Sequence, residues 1–314
     1  MKKVILDVDT GIDDALAIML AIKSGELEIL GITNVAGNVS LERVTDNTIK
    51  VLDLVGALDI PVYRGASAPL VRPAAHEHRI HGEDGLGGAL ADVQASRLPQ
   101  QDFAADFIAE SAKKNSGVSL VMTAPMTNLA LALHRFPSLP DYVDELIFMG
   151  GVAHGPGNRT PVAEFNMLAD PEAARKVLHA GFRRITQVGL DVTRKTILRP
   201  SDIERIEDPK IRAYVAQSTA QYMQHYEGRN GVGGCALHDP LAVGVAIRPQ
   251  FVKSTKFYVD IETQSSICDG QTVCDVQNRL GKDPNVEVCE EVDGESFVDF
   301  FIATLGRPVV VHRI

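Results

Sequence analysis

Short apolar runs alternate with amphipathic segments along the first two thirds of the chain. The apolar runs predict β-strands at residues 4–8, 28–35, 119–122, 145–149 and 184–190. Apolar residues at helical spacing predict helices at residues 15–22, 44–55, 102–114 and 129–133. Alternating strands and helices are typical of a mostly parallel (mixed) sheet with helices on both faces. The pattern therefore predicts an α/β fold with a Rossmann-like core.

The end of the chain follows a different pattern. Residues 256–262 alternate as an exposed strand would, and residues 297–305 predict a closing helix. Asp170, Pro171 and Glu172 mark a helix start, because an acidic N-cap, a proline and a glutamate suit the first helical turn. No internal repeat, low-complexity tract or linker interrupts the sequence, so we expect one domain over residues 1–314.

Four carboxylates crowd the loop after the first predicted strand. Asp7, Asp9, Asp13 and Asp14 are separated by very few residues. Like charges about 4 Å apart repel by about 4 kcal/mol near a protein surface and by about 1 kcal/mol in water. A solvated turn would tolerate this repulsion, whereas a buried loop would need a cation, and carboxylate oxygens suit calcium or magnesium. The spacing leaves both interpretations open, although the apolar strand and helix on either side favour burial at a strand's carboxyl end, where such sheets bind ligands.

The composition is ordinary for a soluble globular protein, with 45% hydrophobic and 23% charged residues. The net charge of −10 disfavours nucleic acid as a main partner, because an acidic surface repels phosphate backbones. No apolar run is long enough to predict a membrane span or a secretory signal. The four cysteines form no C-x-x-C pair, so we expect reduced thiols in a cytoplasmic protein, while Cys268 and Cys274 leave a disulfide open.

Four motifs resemble those of one known family when they are taken together. They are D-V-D-T-G-I-D-D-A at residues 7–15, H-G-E-D-G-L at residues 81–86, G-N-R-T-P-V-A-E-F-N at residues 157–166 and H-D-P at residues 238–240. Their order and approximate spacing resemble the inosine–uridine-type nucleoside N-ribohydrolases over nearly the whole chain. The resemblance implies a single nucleoside-hydrolase-like domain that cleaves the N-glycosidic bond of ribonucleosides with the help of a calcium ion.

The resemblance also implies how the acidic loop would work. The calcium ligands would be Asp9, Asp14, Asp239 and the backbone carbonyl of Thr123. Asp13 would be the general base that takes a proton from the attacking water, with Asp7 orienting its neighbours through hydrogen bonds. The predicted third strand ends next to Thr123, so this position is also expected at the sheet edge that carries the acids.

The nucleoside itself would be held by side chains from several segments. The expected contacts are Asn38, His81, Met149, Asn158, Glu164, Phe165, Asn166 and Tyr226. His238 would protonate the departing base or hydrogen-bond to it, and Arg229 would join Tyr226 in a lid. The chain contains no tryptophan, so the tryptophan sandwich of purine-selective relatives is not available to it. His238 at the acid position resembles the pyrimidine-preferring or non-selective branch of the family. The family resemblance further implies a homodimer or homotetramer.

Three alternatives stay open at this stage. The strand-terminal D-x-D suggests a haloacid-dehalogenase-type phosphatase with Asp7 as nucleophile, although Gly11 stands where that motif has threonine or valine. A non-catalytic nucleoside-binding protein would need the same pocket. His76, His78 and His81 form either a separate metal cluster or a loop over the pocket in which only His81 contacts ligand.

Overall fold

The computed structural model describes residues 1–231 and 233–308, without the side chains of Glu227, Arg229 and Asn230. The strands are β1 Lys2–Val8, β2 Leu27–Asn34, β3 Val62–Arg64, β4 Val118–Met122, β5 Val143–Met149, β6 Ile185–Val188, β7 Ile197–Leu198, β8 Cys235–Ala236, β9 Val252–Phe257, β10 Val259–Ile261, β11 Thr272–Cys274 and β12 Val286–Val292. The α-helices are α1 Ile12–Ser24, α2 Leu41–Val55, α3 His78–His81, α4 Ala104–Lys114, α5 Thr127–Arg135, α6 Phe165–Ala169, α7 Pro171–Leu178, α8 Leu190–Thr193, α9 Pro200–Ile203, α10 Pro209–Asn230, α11 His238–Ile247 and α12 Gly294–Leu305.

Within the described residues, the central sheet has eight strands in the order β3-β2-β1-β4-β5-β6-β12-β9. Neighbouring strands are parallel except β9, which pairs antiparallel with β12. The first six strands have the order of a doubly wound sheet, in which the winding direction reverses between β1 and β4. The prediction of an α/β fold with a mostly parallel sheet is confirmed. The reversal opens a crevice at the carboxyl ends of β1 and β4, where ligands bind in folds of this kind.

Each face of the sheet is covered by its own helices. Val4 and Leu6 of β1 join one hydrophobic cluster with α1 and α11, whereas Ile5 joins a second cluster with α4 and α5. This division follows from the pleat of the strand, which sends successive side chains to opposite faces. Helix α1 is buried along its whole length, as its apolar sequence requires.

The last third of the chain departs from the predicted pattern. Residues 256–262 do not form one strand, so that prediction is wrong. The chain leaves the central sheet after β9, and β10 pairs with β11 in a separate two-stranded sheet. The alternating pattern fits both short strands, and so it cannot locate the break between them. Strand β12 and the long helix α10 were not predicted as complete elements.

Other local predictions agree with the structure. Asp170 caps α7, and its Oδ1 atom accepts the backbone N–H of Ala173 at 3.0 Å. The cysteines, all within the described residues, are free thiols. In the described part of the chain, no helix combines the length and the apolar character that crossing a membrane requires.

Candidate active site

The acidic loop lies at the crevice between β1 and β4. Asp13 and Asp14 occupy the first turn of α1, and Asp239 occupies the first turn of α11. One carboxylate oxygen from each of these three residues lies within 4.8 Å of the other two. The amino ends of both helices therefore meet at the cluster, and their partial positive charge favours the carboxylate form of the acids.

Hydrogen bonds hold the carboxylates of the loop in place. Asp14 accepts from the hydroxyl of Thr123 at 2.8 Å, from the backbone N–H of Gly11 at 3.0 Å and from Nδ2 of Asn38 at 3.1 Å. Asp9 Oδ2 accepts the backbone N–H of Asn38 at 2.7 Å. Segments that follow β1, β2 and β4 are thus tied to one another through these two acids.

Glycine is required at two positions because side chains approach the backbone closely. A Cβ atom on Gly11 would lie 2.7 Å from Nδ2 of Asn38 and 2.5 Å from Nδ1 of His81. A Cβ atom on Gly37 would overlap the Asp9 carboxylate. The glycine of the first motif therefore makes room for the polar groups of the crevice.

Burial dominates the electrostatics of the acid cluster. Burial, followed by the negative charge of Asp14, raises the pKa of Asp13 to about 7. Burial, followed by the charges of Asp13, Asp14 and Asp9, holds the pKa of Asp239 well above its usual range. The pKa of Asp9 is also raised well above its ordinary value, first by burial and then by the charge of Asp14. Several like charges in a dry pocket favour a bound cation strongly.

The residues present fit a hard divalent cation. Asp9 Oδ1 and Asp13 Oδ1 are buried, and neither atom finds a hydrogen-bond partner within the described residues. Unpartnered buried carboxylate oxygens are costly, so these two atoms need a ligand. Every donor in the cluster is an oxygen, which suits calcium or magnesium rather than zinc.

Asp7 lies apart from this cluster. It is fully buried, and its Oδ2 atom accepts from the Thr33 hydroxyl at 2.5 Å and from Asn128 Nδ2 at 2.8 Å. Burial raises its pKa to about 7, although both hydrogen bonds oppose that shift. A carboxylate enclosed in this way cannot attack a phosphate ester, which argues against the phosphatase alternative. Asn128 also donates to the backbone carbonyl of Asn34, so Asp7 links β1 to β2 and α5.

A cavity of about 770 Å³ opens above the acid cluster. Its size is that of a small-molecule site. It is lined by most of the residues expected at the site, namely Asp13, Asn38, His81, Thr123, Met149, Asn158, Glu164, Phe165, Asn166, Tyr226, His238 and Asp239. Asp9 and Asp14 are almost fully buried next to its floor. The structure thus brings together residues that the sequence places far apart.

The segment with the third motif forms one wall of this cavity. Glu164 caps α6, and it accepts from the backbone N–H groups of Asn166 and Gly151, both at 2.9 Å. Nδ2 of Asn166 donates to the carbonyl of Thr123 at 3.0 Å. Asn158 Oδ1 accepts the backbone N–H of Phe165 at 3.0 Å. These bonds hold polar side chains at the wall in fixed positions.

Another part of the cavity wall carries two buried histidines. His238 Nε2 lies 2.6 Å from the Tyr226 hydroxyl, and its Nδ1 lies 2.7 Å from the Thr193 hydroxyl. Burial, followed by the positive charge of Arg194, lowers the pKa of His238 to about 3. His81 accepts the backbone N–H of Ile12 at Nδ1, at 3.0 Å, and burial lowers its pKa to about 3 as well. Both imidazoles are therefore neutral near pH 7.

Aromatic rings complete this wall. The rings of Tyr222 and Tyr226 meet edge to face with centroids 5.3 Å apart, and the centroid of His81 lies 6.3 Å from that of Tyr222. Such rings offer a planar base an apolar surface with polar edges. The predicted lid contact from the side chain of Arg229 lies outside the described residues.

Sequence reasoning missed some residues of the pocket. Thr193 contacts His238, and Arg194 donates to the carbonyls of Pro156 and Gly157 at 2.8 and 2.9 Å. Both residues follow β6. Because the carboxyl ends of parallel strands lie at one edge of the sheet, the same reasoning that placed Asn38 and Thr123 at the site would also have placed these two residues there. The structure does not support a separate metal site formed by histidines. Among the described residues, the group of side chains close enough together to hold a metal ion consists of Asp13, Asp14 and Asp239.

His76 instead contacts the protein backbone. Its Nδ1 atom lies 2.8 Å from the carbonyl of Gly37. His81 is the member of this group that lines the cavity, together with its neighbour Ile80. The interpretation of residues 76–81 as a loop over the pocket therefore fits the structure better than a second metal site.

A cavity of this kind, at the reversal point of a doubly wound sheet and with carboxylates facing neutral imidazoles, defines an α/β enzyme that acts on a small polar substrate. A family model described as inosine-uridine preferring nucleoside hydrolase matches residues 4–299 of the chain. The chain belongs to this family, and it is therefore a glycosidase that acts on N-glycosyl compounds.

Individual relatives agree with this assignment. The pyrimidine-specific ribonucleoside hydrolase RihA of Salmonella agona (strain SL483) is 38% identical over 307 residues, which are 96% of this chain and 97% of that protein. The structure of a purine-preferring ribonucleoside hydrolase from Gardnerella vaginalis has a TM-score of 0.90 at 34% identity, covering 97% of this chain and 98% of that one. The plant nucleoside hydrolase PpNRh1 also has a TM-score of 0.90, at 31% identity, covering 98% and 99% of the two chains.

Proposed function

We propose that this protein hydrolyses the N-glycosidic bond of ribonucleosides to free base and ribose, and that it depends on calcium to do so. The observation that carries the proposal is one cavity lined by Asp13 and Asp239 of the acid cluster together with His238 and Tyr226. Hydrolysis of such a bond needs a base for the attacking water and a donor for the leaving group. Asp13 offers the base, whereas His238 is neutral in the free protein and would have to gain a proton before it could act as the donor.

The calcium site would be formed by oxygen atoms from three chain segments. Asp9, Asp14, Asp239 and the carbonyl of Thr123 are the proposed ligands. When bound, the ion supplies positive charge that offsets the carboxylates and lowers the pKa of a water in contact with it. Asp9 supports this role through its unpartnered Oδ1 atom, while Asp14 is held in place by three hydrogen-bond donors.

Asp13 is the proposed general base. Its carboxylate lines the cavity, and its Oδ1 atom has no hydrogen-bond partner within the described residues. Burial and the charge of Asp14 raise its pKa to about 7 when no cation is bound, and the positive charge of calcium would lower it again, so that the carboxylate is ionised and can accept a proton near neutral pH. Asp7, one strand position before the loop, is proposed to orient its neighbours through Thr33 and Asn128.

The ribose would be held at the wall formed by residues 157–166. Asn38, Asn158, Glu164 and Asn166 supply donors and acceptors for its hydroxyl groups, with Met149 and Phe165 beside them. Loss of the base creates positive charge on the sugar, as in other glycoside hydrolysis, and the carboxylates of the floor stabilise that charge. The base would lie against His81, Tyr226 and His238.

The first prediction concerns the reaction itself. With calcium present, the purified protein is expected to release reducing sugar from uridine and cytidine at least as fast as from inosine, because no tryptophan is available to stack a purine. The pyrimidine-specific relative supports faster hydrolysis of uridine and cytidine than of inosine. Because a structural neighbour is purine-preferring, inosine has to be measured alongside them. The Asp13→Asn variant, purified in parallel, controls for a contaminating hydrolase. No sugar from any of the three nucleosides would overturn the proposal.

The second prediction separates proton donation by His238 from simple base binding. His238→Ala is expected to slow hydrolysis of uridine by about a hundredfold, within the range of general acid catalysis, because uracil leaves poorly without a proton. Hydrolysis of 4-nitrophenyl riboside, whose leaving group needs no proton, should change by less than about threefold. Equal losses on both substrates would assign His238 to binding alone. Tyr226→Phe serves as the matched variant, since it keeps the ring and removes the hydroxyl at Nε2.

We also propose that residues 1–314 act as one domain within a homodimer or homotetramer. One continuous sheet that contains both β1 and β12 supports the single domain. The family resemblance supports the assembly.

A further inference from the structure

Glu77 lines the cavity and lies between two arginines. Its side chain is 11% exposed, and its Oε1 atom accepts from Nε and Nη2 of Arg79, both at 3.2 Å. Its Oε2 atom lies 3.2 Å from Nε of Arg159. All three residues line the cavity. A carboxylate buried to this extent is stabilised by its cationic partners, and losing one of them leaves charge poorly compensated.

The backbone of Glu77 anchors the segment that carries His81. Its N–H donates to the carbonyl of Asn38 at 3.0 Å. Its carbonyl accepts from the N–H groups of Ile80 and His81, at 3.1 and 3.2 Å. Any displacement of Glu77 is therefore transmitted to Asn38 on one side and to His81 on the other.

Arg159 belongs to the opposite wall, next to Asn158. Its backbone N–H donates to the carbonyl of Ala163 at 3.1 Å, which closes the turn that leads into α6. The same turn is also held by Arg194, which donates to the carbonyls of Pro156 and Gly157. On the side that faces residues 77–82, the Glu77–Arg159 ion pair joins it to the other wall.

We propose that Glu77 and Arg159 are positioning residues for nucleoside binding: their ion pair clasps residues 77–82 to residues 157–166, two segments that both contribute to the lining of the cavity. The inference rests on the hydrolase function proposed above. It assigns a role to two residues that belong neither to the acid cluster nor to the group proposed to contact the base. Within the described residues, neither side chain hydrogen-bonds to Asp13 or His238. Loss of the clasp therefore weakens the capture of substrate and leaves the chemical step unchanged.

The chain offers a matched pair of variants for a test. Arg159→Gln breaks the contact between the two walls, whereas Arg79→Gln breaks a contact of Glu77 with a residue of its own segment. We expect Arg159→Gln to raise KM for the best nucleoside about fivefold, a size typical for a partly exposed ion pair, with kcat within about twofold of the parent. Arg79→Gln should leave KM within about twofold. Glu77→Gln should raise KM as Arg159→Gln does, and the double variant should be no worse than either single one.

Two further measurements distinguish the clasp from a merely structural role: the dependence of KM on salt and the rate of amide hydrogen exchange. A merely structural role would not change both of them. KM of the parent protein should rise with salt, because the partly exposed guanidinium of Arg159 is screened, and this rise should be absent in Arg159→Gln. Amide exchange without substrate should be faster at residues 77–82 and 157–166 in Arg159→Gln but not in Arg79→Gln. If the parent releases no sugar, the proposed function fails, and the exchange result alone decides on the clasp. Unchanged exchange and, in an active parent, an unchanged KM in Arg159→Gln would overturn it.

Discussion

Replacing Asp13 with asparagine is expected to lower kcat about a thousandfold for the best ribonucleoside, while KM changes little. The asparagine keeps the shape of the side chain but cannot accept a proton, and a positioned general base contributes about 10² to 10⁴ in rate. The measurement is the steady-state rate of sugar release, with calcium present and at enzyme concentrations high enough to detect residual turnover.

The interpretation requires that the variant remains folded. Asp46→Asn is a suitable control, since Asp46 is an exposed acid on α2 and its loss should leave kcat within about twofold of the parent. Thermal unfolding of both variants should follow that of the parent protein. An Asp13→Asn variant with turnover near that of the parent would remove Asp13 as the base and leave it as one acid of the cluster.

Removal of calcium should have an effect of similar size. After treatment with a strong chelator, we expect sugar release to fall at least about a hundredfold and to recover when calcium is added back, because the cluster then lacks its positive charge. Calcium should also stabilise the folded protein, by about 2.7 kcal/mol at a concentration one hundred times its dissociation constant. Calorimetric unfolding at several calcium concentrations measures this increase.

Replacing one proposed calcium ligand tests whether the stabilisation by calcium arises at this site. Asp14→Asn is expected to lose most of the calcium-dependent stabilisation, since Asp14 belongs to the acid cluster and is a proposed ligand, whereas Asp46→Asn should retain it. Elemental analysis then identifies the ion. Full activity in chelator, together with a protein that carries no divalent ion, would contradict the calcium assignment even if ribonucleosides are hydrolysed.

Much of the site could be predicted from the sequence because its residues follow strands. The ends of β1, β2, β4 and β5 lie at one sheet edge, so Asp9, Asn38, Thr123 and Met149 had to lie near one another once the parallel sheet was recognised. Short apolar runs in a buried parallel sheet stand out in a sequence. Family motifs supplied the remaining partners, including Asp239, whose distance along the chain hides its proximity to Asp14.

Other features depend on contacts that no local pattern reveals. The Glu77–Arg159 ion pair joins two loops with no regular periodicity, and Thr193 follows a strand whose end was placed two residues too late, at 190 instead of 188. The chain between β9 and β12 changes partners from one sheet to another, while its alternation of polar and apolar residues continues. Pairing of this kind is decided by tertiary packing and not by the sequence of the strand itself.

The packing of α1 against α11 has a consequence for synthesis of the chain. The pocket needs the amino ends of both helices, and these come from opposite parts of the polypeptide. A nascent chain can pair its first strands on the ribosome, yet it has no complete pocket until residue 239 has emerged. Truncated products that stop before α11 would therefore lack Asp239 and the helix that packs against α1. The apolar surface of α1 would then be exposed, and chaperones could bind to it.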